Sequence, residues 1–206
     1  MGTNTLILYA YIDDEKNLRE KIEKRLDVQN KTSEYFIGRL LLSKGLSQLN
    51  VPFNINQIKY SDFGRPYIEN TKYFIDFNIS HSKNMVACIV SKSCIVGIDV
   101  EKMKTIDIYN FKDHFSKKEW ILLEEEQNPL TLFYKLWTRK EAILKANGFG
   151  LSFLLSKIEV LEDYVYFNKE IWYFNTLSLK SDYYTCFVTN KPEQVLLKKI
   201  NIDKFF

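Results

Sequence analysis

The sequence predicts an α+β protein built from two similar halves. Strand-like runs and amphipathic helices follow in the order strand, helices, strands, and then helices and strands again. The 206 residues are 46% apolar, which is ample for a continuous core. No low-complexity linker interrupts the sequence, so we expect residues 1–103 and residues 104–206 to pack closely against each other.

The first half contains segments of both periodicities. Alternating or continuous apolar residues predict strands, and apolar residues three or four apart predict helices. The segments are a strand over 5–12, a helix over 13–26, a helix capped by Thr32 or Ser33, a strand over 85–90 and a strand over 94–100. The short polar connection between the last two strands predicts a hairpin.

The second half begins with two helices. Ser116 and Glu119 fit a Ser-x-x-Glu capping box, which predicts a helix starting after Ser116. Pro129 begins a longer helix over about 130–147, and Gly148 ends it. A β-rich tail follows, with strands predicted over 158–160, 164–167, 171–174, 183–189 and 195–199.

Composition argues against several classes of protein. The net charge of +3 is too small and too evenly spread to indicate nucleic-acid binding. No apolar run reaches the ~20 residues of a membrane span, and the first segment lacks a basic leader, so we expect a cytoplasmic protein with no membrane partner. The three cysteines lack metal-binding spacing and have apolar neighbours, which indicates core thiols.

Two carboxylates stand in the apolar strand over 94–100 and just beyond it. Asp99 and Glu101 point to the same side, about 6 to 7 Å apart, while Ile98 and Val100 face the core. A solvated strand end is one interpretation of this pair. The other is a cation site, because oxygen ligands of this kind suit Mg²⁺.

The helix over 130–147 carries three further charges of interest. Glu141 and Lys145 lie one turn apart beside Trp137, either as an ordinary ion pair or as part of a site. Lys140 falls within the apolar arc, so either its stem lies along apolar surface or its charge meets an anion. His81, between two serines at a strand end, could donate to a phosphate or serve as a hydrogen-bonded loop residue.

Six short motifs resemble one enzyme family when taken in order. They are Gly64-Arg65-Pro66 and the segments 77–82, 96–101, 115–119, 137–142 and 145–151. Their order and spacing resemble the 4'-phosphopantetheinyl transferases of the surfactin-synthetase-activating type. The short enzymes of that superfamily are trimeric, and the longer type looks like two such units fused. The resemblance therefore implies a pseudodimeric monomer with its active site between the two halves.

The resemblance implies a reaction and a set of residues for it. The 4'-phosphopantetheine arm of coenzyme A would pass to a serine hydroxyl of an apo acyl or peptidyl carrier protein, with release of adenosine 3',5'-bisphosphate. Asp99, Glu101 and Glu141 would hold Mg²⁺ across the two phosphates. Lys145 would stabilise developing phosphate charge, and either Glu119 or Glu141 would be the general base for the serine.

The resemblance also implies residues that bind coenzyme A. They are Ser80 and His81 at a phosphate, Gly64, Arg65 and Pro66 around the nucleotide, Lys140 and Lys145 near the phosphates, and Lys31 at the 3'-phosphate, with Arg39 and Lys44 as alternatives to Lys31. The family commonly has lysine in the Gly-Lys-Pro turn, and arginine here suits a phosphate fork. Phe115, Trp120 and Leu123 would either anchor the carrier or pack in the core.

Two other functions use some of the same residues. A Mg²⁺-dependent phosphoesterase would direct the acidic cluster at water, but most such enzymes have a second metal cluster or a histidine-rich site, which this sequence lacks. A non-catalytic protein that binds coenzyme A or a carrier would need phosphate donors but no candidate base. The presence of both kinds of residue favours the transferase.

Overall fold

A computed structural model describes residues 3–12, 32–149, 154–202 and 205. Its α-helices are α1 (Ser33–Gln48), α2 (Lys117–Glu125) and α3 (Pro129–Asn147). Their caps are Thr32 for α1, Ser116 for α2 and, at the C-terminal end of α3, Gly148 in the left-handed conformation. The helix predicted over 13–26 lies outside the described residues. None of the described helices is long and apolar enough to cross a membrane.

The same described ranges contain ten strands, which confirms the α+β class. They are β1 (Thr5–Tyr11), β2 (Ile58–Tyr60), β3 (Pro66–Ile68), β4 (Asp76–Ser82), β5 (Met85–Ser91), β6 (Val96–Lys102), β7 (Tyr164–Phe167), β8 (Glu170–Leu177), β9 (Tyr183–Thr189) and β10 (Val195–Lys199). Two four-stranded sheets contain most of them, in the orders β10-β1-β5-β4 and β6-β9-β8-β7, and β2 pairs with β3.

Each of the two large sheets has a helix against it. Helix α1 contributes Ile37, Leu41 and Leu46 to a core with the first sheet, and α3 packs on the second. A Cβ on Gly97 of β6 would collide with the carbonyl oxygen of Ala142 in α3, so glycine permits this helix to cross β6 closely. The three predicted core thiols are confirmed as free and buried.

Two predictions about strands are wrong. Strands β5 and β6 do not form a hairpin, because β5 pairs with β1 and β4 whereas β6 pairs with β9. Residues 158–160 form no strand, because their backbone groups bind buried side chains: Ile158 O accepts from Lys140, Val160 O accepts from Arg139, and Val160 N donates to Glu119.

Each of the two large sheets contains strands from both sides of residue 103. Strand β6 begins the second sheet, and β10, at the far end of the chain, lies at the edge of the first sheet beside β1. The division at residues 103 and 104 stays a prediction.

Side chains of β4 join the two sheets along β6. Every second residue of β4 is polar and points to one face. The acceptor oxygens are Asp76 Oδ2 for Val96 N (2.8 Å), Asn78 Oδ1 for Ile98 N (3.1 Å), Ser80 Oγ for Val100 N (3.2 Å) and Ser82 Oγ for Lys102 N (3.1 Å). We call this row the β4 ladder; it satisfies amides that an edge strand would otherwise expose.

Candidate active site

Asp99 lies at the centre of the candidate site. It is 2% exposed, and its Oδ1 accepts hydrogen bonds from Ser80 Oγ at 3.1 Å and from Lys145 Nζ at 2.6 Å. Its Oδ2 is buried and has no hydrogen-bond partner among the described residues. An ionised carboxylate normally fills its acceptor sites when buried, so this oxygen is open to a ligand.

Glu101 and Glu141 complete an acidic cluster around Asp99. Burial and then the charge of Asp99 raise the pKa of both side chains, and Lys145 opposes this rise. Glu101 accepts from Ser82 Oγ at 3.0 Å, whereas Glu141 Oε1 is buried without a partner in the described part of the chain. The close crossing of α3 at Gly97 brings Glu141 to the two acidic residues of β6.

Lys145 supplies a cation at this cluster. Its side chain is 30% exposed, and its Nζ contacts Asp99 and also donates to Ser80 Oγ at 2.8 Å. The structure therefore brings Asp99, Glu101, Glu141, Lys145 and Ser80 together. Within the described ranges, no three Asp, Glu, His or Cys side chains already have an arrangement suited to holding a metal ion.

A pocket of about 340 Å³ opens beside the cluster. Its wall includes Gly64, Arg65 and Pro66, together with Glu141 and Lys145 from α3. Gly64 has a φ of 81°, which glycine adopts without strain in the turn before β3. Residues far apart in the sequence thus line one cavity, and Glu141 connects that cavity to the acidic cluster.

The guanidinium of Arg65 faces the protein rather than the pocket opening. Its Nη2 donates to both carboxylate oxygens of Asp76, at 2.9 and 2.8 Å, and its Nε donates to the carbonyl oxygen of Lys145 at 2.9 Å. The predicted phosphate fork is already occupied by a carboxylate.

Glu119 and Lys140 lie apart from the cluster, contrary to the functions predicted for them. Both are fully buried, and Lys140 Nζ contacts Glu119 Oε2 at 2.7 Å. Glu119 also accepts from Ser116 N at 2.8 Å and from Val160 N at 2.9 Å, which confirms the capping-box alternative. Lys140 donates to the carbonyls of Leu155 and Ile158 as well, so its charge meets a protein anion and backbone oxygens instead of coenzyme A.

Burial lowers the pKa of Lys140, and the neighbouring Glu119 opposes that effect. A base must be able to receive a proton from a substrate, and both oxygens of Glu119 are enclosed and hydrogen-bonded. Glu119 and Lys140 therefore have the surroundings of a structural pair.

The other predicted residues fall into three groups. Ser80 is in the cluster, but its neighbour His81 is exposed on the opposite face of β4. The three apolar residues proposed either as carrier anchors or as core are buried, which favours core packing; they are Phe115, Trp120 and Leu123. Lys31 lies outside the described residues, as do Gly150 and Leu151 of the last motif.

Sequence reasoning missed two features of the site. One is the ion pair between Arg65 and Asp76, whose charges are 11 positions apart on different elements. The other is the β4 ladder, for which a signal exists: polar residues at every second position of an otherwise buried strand. Such alternation in a buried strand indicates polar partners across the face.

Comparisons with known proteins agree with this geometry. The family model of the 4'-phosphopantetheinyl transferase superfamily matches residues 95–187, which include β6, α2, α3 and most of β9. The chain is 36% identical over 118 residues to the 4'-phosphopantetheinyl transferase gsp of Aneurinibacillus migulanus, covering 56% of this chain and 48% of that protein. It is 38% identical over 102 residues to a putative 4'-phosphopantetheinyl transferase of Haemophilus influenzae, covering 47% and 43%.

A longer match extends into the first half. The 4'-phosphopantetheinyl transferase Sfp of Bacillus subtilis is 32% identical over 155 residues, which cover 73% of this chain and 66% of that protein. The matched part thus spans from less than half to about two thirds of the length of these relatives. With the family match over the segment that carries the acidic cluster, these similarities confirm the resemblance: the chain belongs to the 4'-phosphopantetheinyl transferase superfamily.

Proposed function

We propose that this protein transfers the 4'-phosphopantetheine group of coenzyme A to a serine hydroxyl of an apo carrier protein and releases adenosine 3',5'-bisphosphate. One observation carries the proposal: three carboxylates and a lysine, from strand β6 and helix α3, converge beside a pocket of about 340 Å³, which is within the range of small-molecule sites. Relatives named 4'-phosphopantetheinyl transferase support the same reaction.

The chemistry of the donor set suits a magnesium ion, although within the described ranges the three carboxylates are not already arranged as its ligands. Asp99 Oδ2 and Glu141 Oε1 are buried acceptors without protein partners among the described residues, and Glu101 adds a third carboxylate. Oxygen ligands of this type, few in number and completed by phosphate and water, are those that Mg²⁺ prefers. When bound, Mg²⁺ would neutralise charge on the diphosphate of coenzyme A. The same three residues would otherwise repel a diphosphate.

Lys145 has the position of a phosphate-binding cation. Its Nζ is held by Asp99 and Ser80 and is partly exposed, so a phosphate oxygen can replace one of these contacts. An ammonium at that point stabilises charge that accumulates on the diphosphate as the serine oxygen attacks. Lys145 would thus bind the donor and lower the barrier.

Glu141 is a better candidate than Glu119 for the general base. Glu141 lines the pocket, whereas both oxygens of Glu119 are enclosed by hydrogen bonds. A base must come within hydrogen-bond distance of the attacking hydroxyl, directly or through one water. With Oε1 assigned to the ion, the other carboxylate oxygen of Glu141 would receive that proton from a serine presented at the pocket.

The nucleotide part of coenzyme A would occupy the pocket, with Gly64 and Pro66 at its rim. Helix α2 would receive the carrier, since it exposes Ile121 (43%) and Leu122 (42%) while its other face is buried. We further propose that the protein acts in the cytoplasm as a monomer of two related halves.

A mass measurement on the carrier tests the proposal. The protein is incubated with Mg²⁺, coenzyme A and an apo carrier, and the carrier is weighed by mass spectrometry. A gain equal to one phosphopantetheine group, absent without Mg²⁺, supports transfer. Cleavage of coenzyme A with an unmodified carrier would instead indicate a phosphoesterase, and coenzyme A binding without any product would indicate a non-catalytic binding protein.

A further inference from the structure

We propose that Arg65 is a positioning residue that holds the end of α3 so that Lys145 reaches Asp99. This inference rests on the proposed function for its catalytic consequence, although the contacts stand independently. The juxtaposition is specific: one guanidinium links the pocket turn, strand β4 and the turn of α3 that carries Lys145.

The contact with α3 satisfies a group that the helix cannot satisfy itself. The last four carbonyl groups of an α-helix have no partner within the helix. In α3, Gly148 N donates to Leu144 O, and Arg65 Nε donates to the next carbonyl, Lys145 O, at 2.9 Å. Arg65 therefore fixes the backbone of the residue whose side chain enters the site.

The contact with Asp76 anchors Arg65 on the other side. The two carboxylate oxygens accept from Nη2 at 2.9 and 2.8 Å, and Asp76 Oδ2 also accepts from Val96 N at 2.8 Å in the β4 ladder. The side chains of Arg65 and Asp76 are 17% and 10% exposed, so solvent screens this pair little. Arg65 is thereby tied to the junction of the two sheets.

The stem and the backbone of Arg65 are also held in place. A Cβ on Gly148 would lie 3.0 Å from Arg65 Cδ and 3.3 Å from Arg65 Cβ, so the arginine stem packs directly on the glycine that ends α3. Ser61 Oγ accepts from Arg65 N at 3.1 Å, which fixes the start of the side chain. These two contacts hold Arg65 with its guanidinium directed into the protein.

Arginine is required for this combination of contacts. Its Nε and terminal nitrogens lie in one rigid plane, which allows simultaneous bonds to a carboxylate and to a carbonyl in another direction. A lysine ammonium is a single point and could keep only one of these partners well. The arginine in this turn, where the resembling family commonly has lysine, therefore has a use other than binding phosphate.

The test compares R65K, R65M and R65M/D76N with the unmodified protein. R65M leaves the buried carboxylate of Asp76 unpaired and can reduce folding, whereas the double variant removes that charge together with the guanidinium. K198M is the matched control, because Lys198 donates to Gln48 on an exposed surface of the first sheet. Folding of each variant is followed by circular dichroism and by its melting temperature.

Two readouts distinguish positioning from other functions of Arg65. The first is the rate at which succinimidyl acetate acylates Lys145, measured by peptide mass spectrometry relative to the exposed Lys118 of the same sample. The second is the split between kcat and KM for coenzyme A in carrier modification. We expect succinimidyl acetate to acylate Lys145 several-fold faster in R65M/D76N than in the unmodified protein. We also expect this variant to lose at least about tenfold in kcat with little change in KM for coenzyme A. R65K should be intermediate.

Two outcomes would overturn the proposal. A raised KM for coenzyme A with unchanged kcat and unchanged Lys145 acylation would make Arg65 a nucleotide ligand. A lower melting temperature with equal acceleration at Lys118 and Lys145 would make it a general structural residue. If the unmodified protein fails to modify any carrier, the proposed function fails, and the acylation rates alone still support or reject the positioning of Lys145.

Discussion

Helix α3 forms two acid–lysine pairs that look alike and have different environments. Lys140 Nζ lies 2.7 Å from Glu119 Oε2, and Lys145 Nζ lies 2.6 Å from Asp99 Oδ1. The first pair is fully buried and every charged oxygen in it has a protein partner. The second pair is partly exposed at its lysine and leaves Asp99 Oδ2 without one among the described residues. The unfilled acceptor, more than charge, distinguishes the Lys145–Asp99 pair from the Lys140–Glu119 pair, and a second one on Glu141 lies in the same acidic cluster.

The direction of the helix explains the separation. Lys140 and Lys145 are five residues apart, which turns their side chains about 140° from each other at 100° per residue. Lys140 enters the core between α2 and the segment before β7, and Lys145 crosses β6 towards β4. Helix α3 therefore uses one lysine, Lys140, to stabilise the second half and another, Lys145, to complete the candidate site.

The largest expected effect is loss of transfer in D99N. The asparagine keeps the shape of the side chain and one acceptor but removes the negative charge beside Lys145, so a weakly held cation loses a ligand. We expect carrier modification to fall below detection while the melting temperature changes little. D182N is the matched control, since Asp182 pairs with Lys102 at a partly exposed position. Transfer by D99N near the rate of D182N would break the contrast between the two pairs.

K145A should have the next largest effect. Removing an ammonium from developing phosphate charge lowers kcat by a factor on the order of a hundred. Carrier modification under saturating coenzyme A measures this directly. A change confined to KM for coenzyme A would assign Lys145 to ground-state binding.

E119Q should affect stability instead of catalysis. Breaking a buried pair by removing one charge costs about 3–5 kcal/mol of the free energy of unfolding, because Lys140 remains buried without its counter-ion. Urea unfolding measures that loss, and the double variant E119Q/K140M should recover part of it. At a temperature where E119Q is folded, its transfer rate should match the unmodified protein. Abolished transfer in folded E119Q would restore Glu119 as the base.

The smallest effect should be a gain of stability in E141Q without added metal. Burial and the charges of Asp99 and Glu101 raise the folded-state pKa of Glu141, so the folded protein resists its ionisation. Stability from protonated Glu141 is complete below the unfolded pKa of about 4.3 and is lost as pH rises through the raised folded pKa. The melting temperature of E141Q should exceed that of the unmodified protein at neutral pH, and the gain should vanish near pH 4.

A control separates this pH effect from a general effect of charge. Glu125 is exposed at the end of α2, so E125Q changes the net charge equally without removing a buried carboxylate. E125Q should show no comparable gain. Equal gains in both variants would mean that the acidic cluster carries no special electrostatic cost.

Local patterns in the sequence predicted most elements, because helices and strands follow periodicity and caps. Helix α2 after Ser116 and helix α3 ending at Gly148 are examples. Pairing between β5 and β6 was predicted wrongly, since a short connection does not reveal that two strands join different sheets. The strand prediction over 158–160 was wrong for another reason. The backbone of this segment binds Lys140, Arg139 and Glu119, and no local pattern encodes such partners.

The candidate site was predictable as a set of motifs but not as an arrangement. Asp99 and Glu101 follow from strand alternation, and Ile98 and Val100 are in the core as expected. Whether a lysine of α3 faces the core or the site depends on packing across the whole fold, which separates Lys140 from Lys145. The sequence shows that Arg65 carries a charge, but it does not show that the guanidinium points into the protein.

Binding of Mn²⁺ in place of Mg²⁺ tests the contrast most directly. Electron paramagnetic resonance measures free and bound Mn²⁺ in the presence of coenzyme A, without any need for turnover. Because Asp99 has an unfilled oxygen, we expect one bound ion in the unmodified protein and in folded E119Q, and loss of that ion in D99N. Equal Mn²⁺ binding by D99N and the unmodified protein, or its loss in folded E119Q alone, would contradict the account.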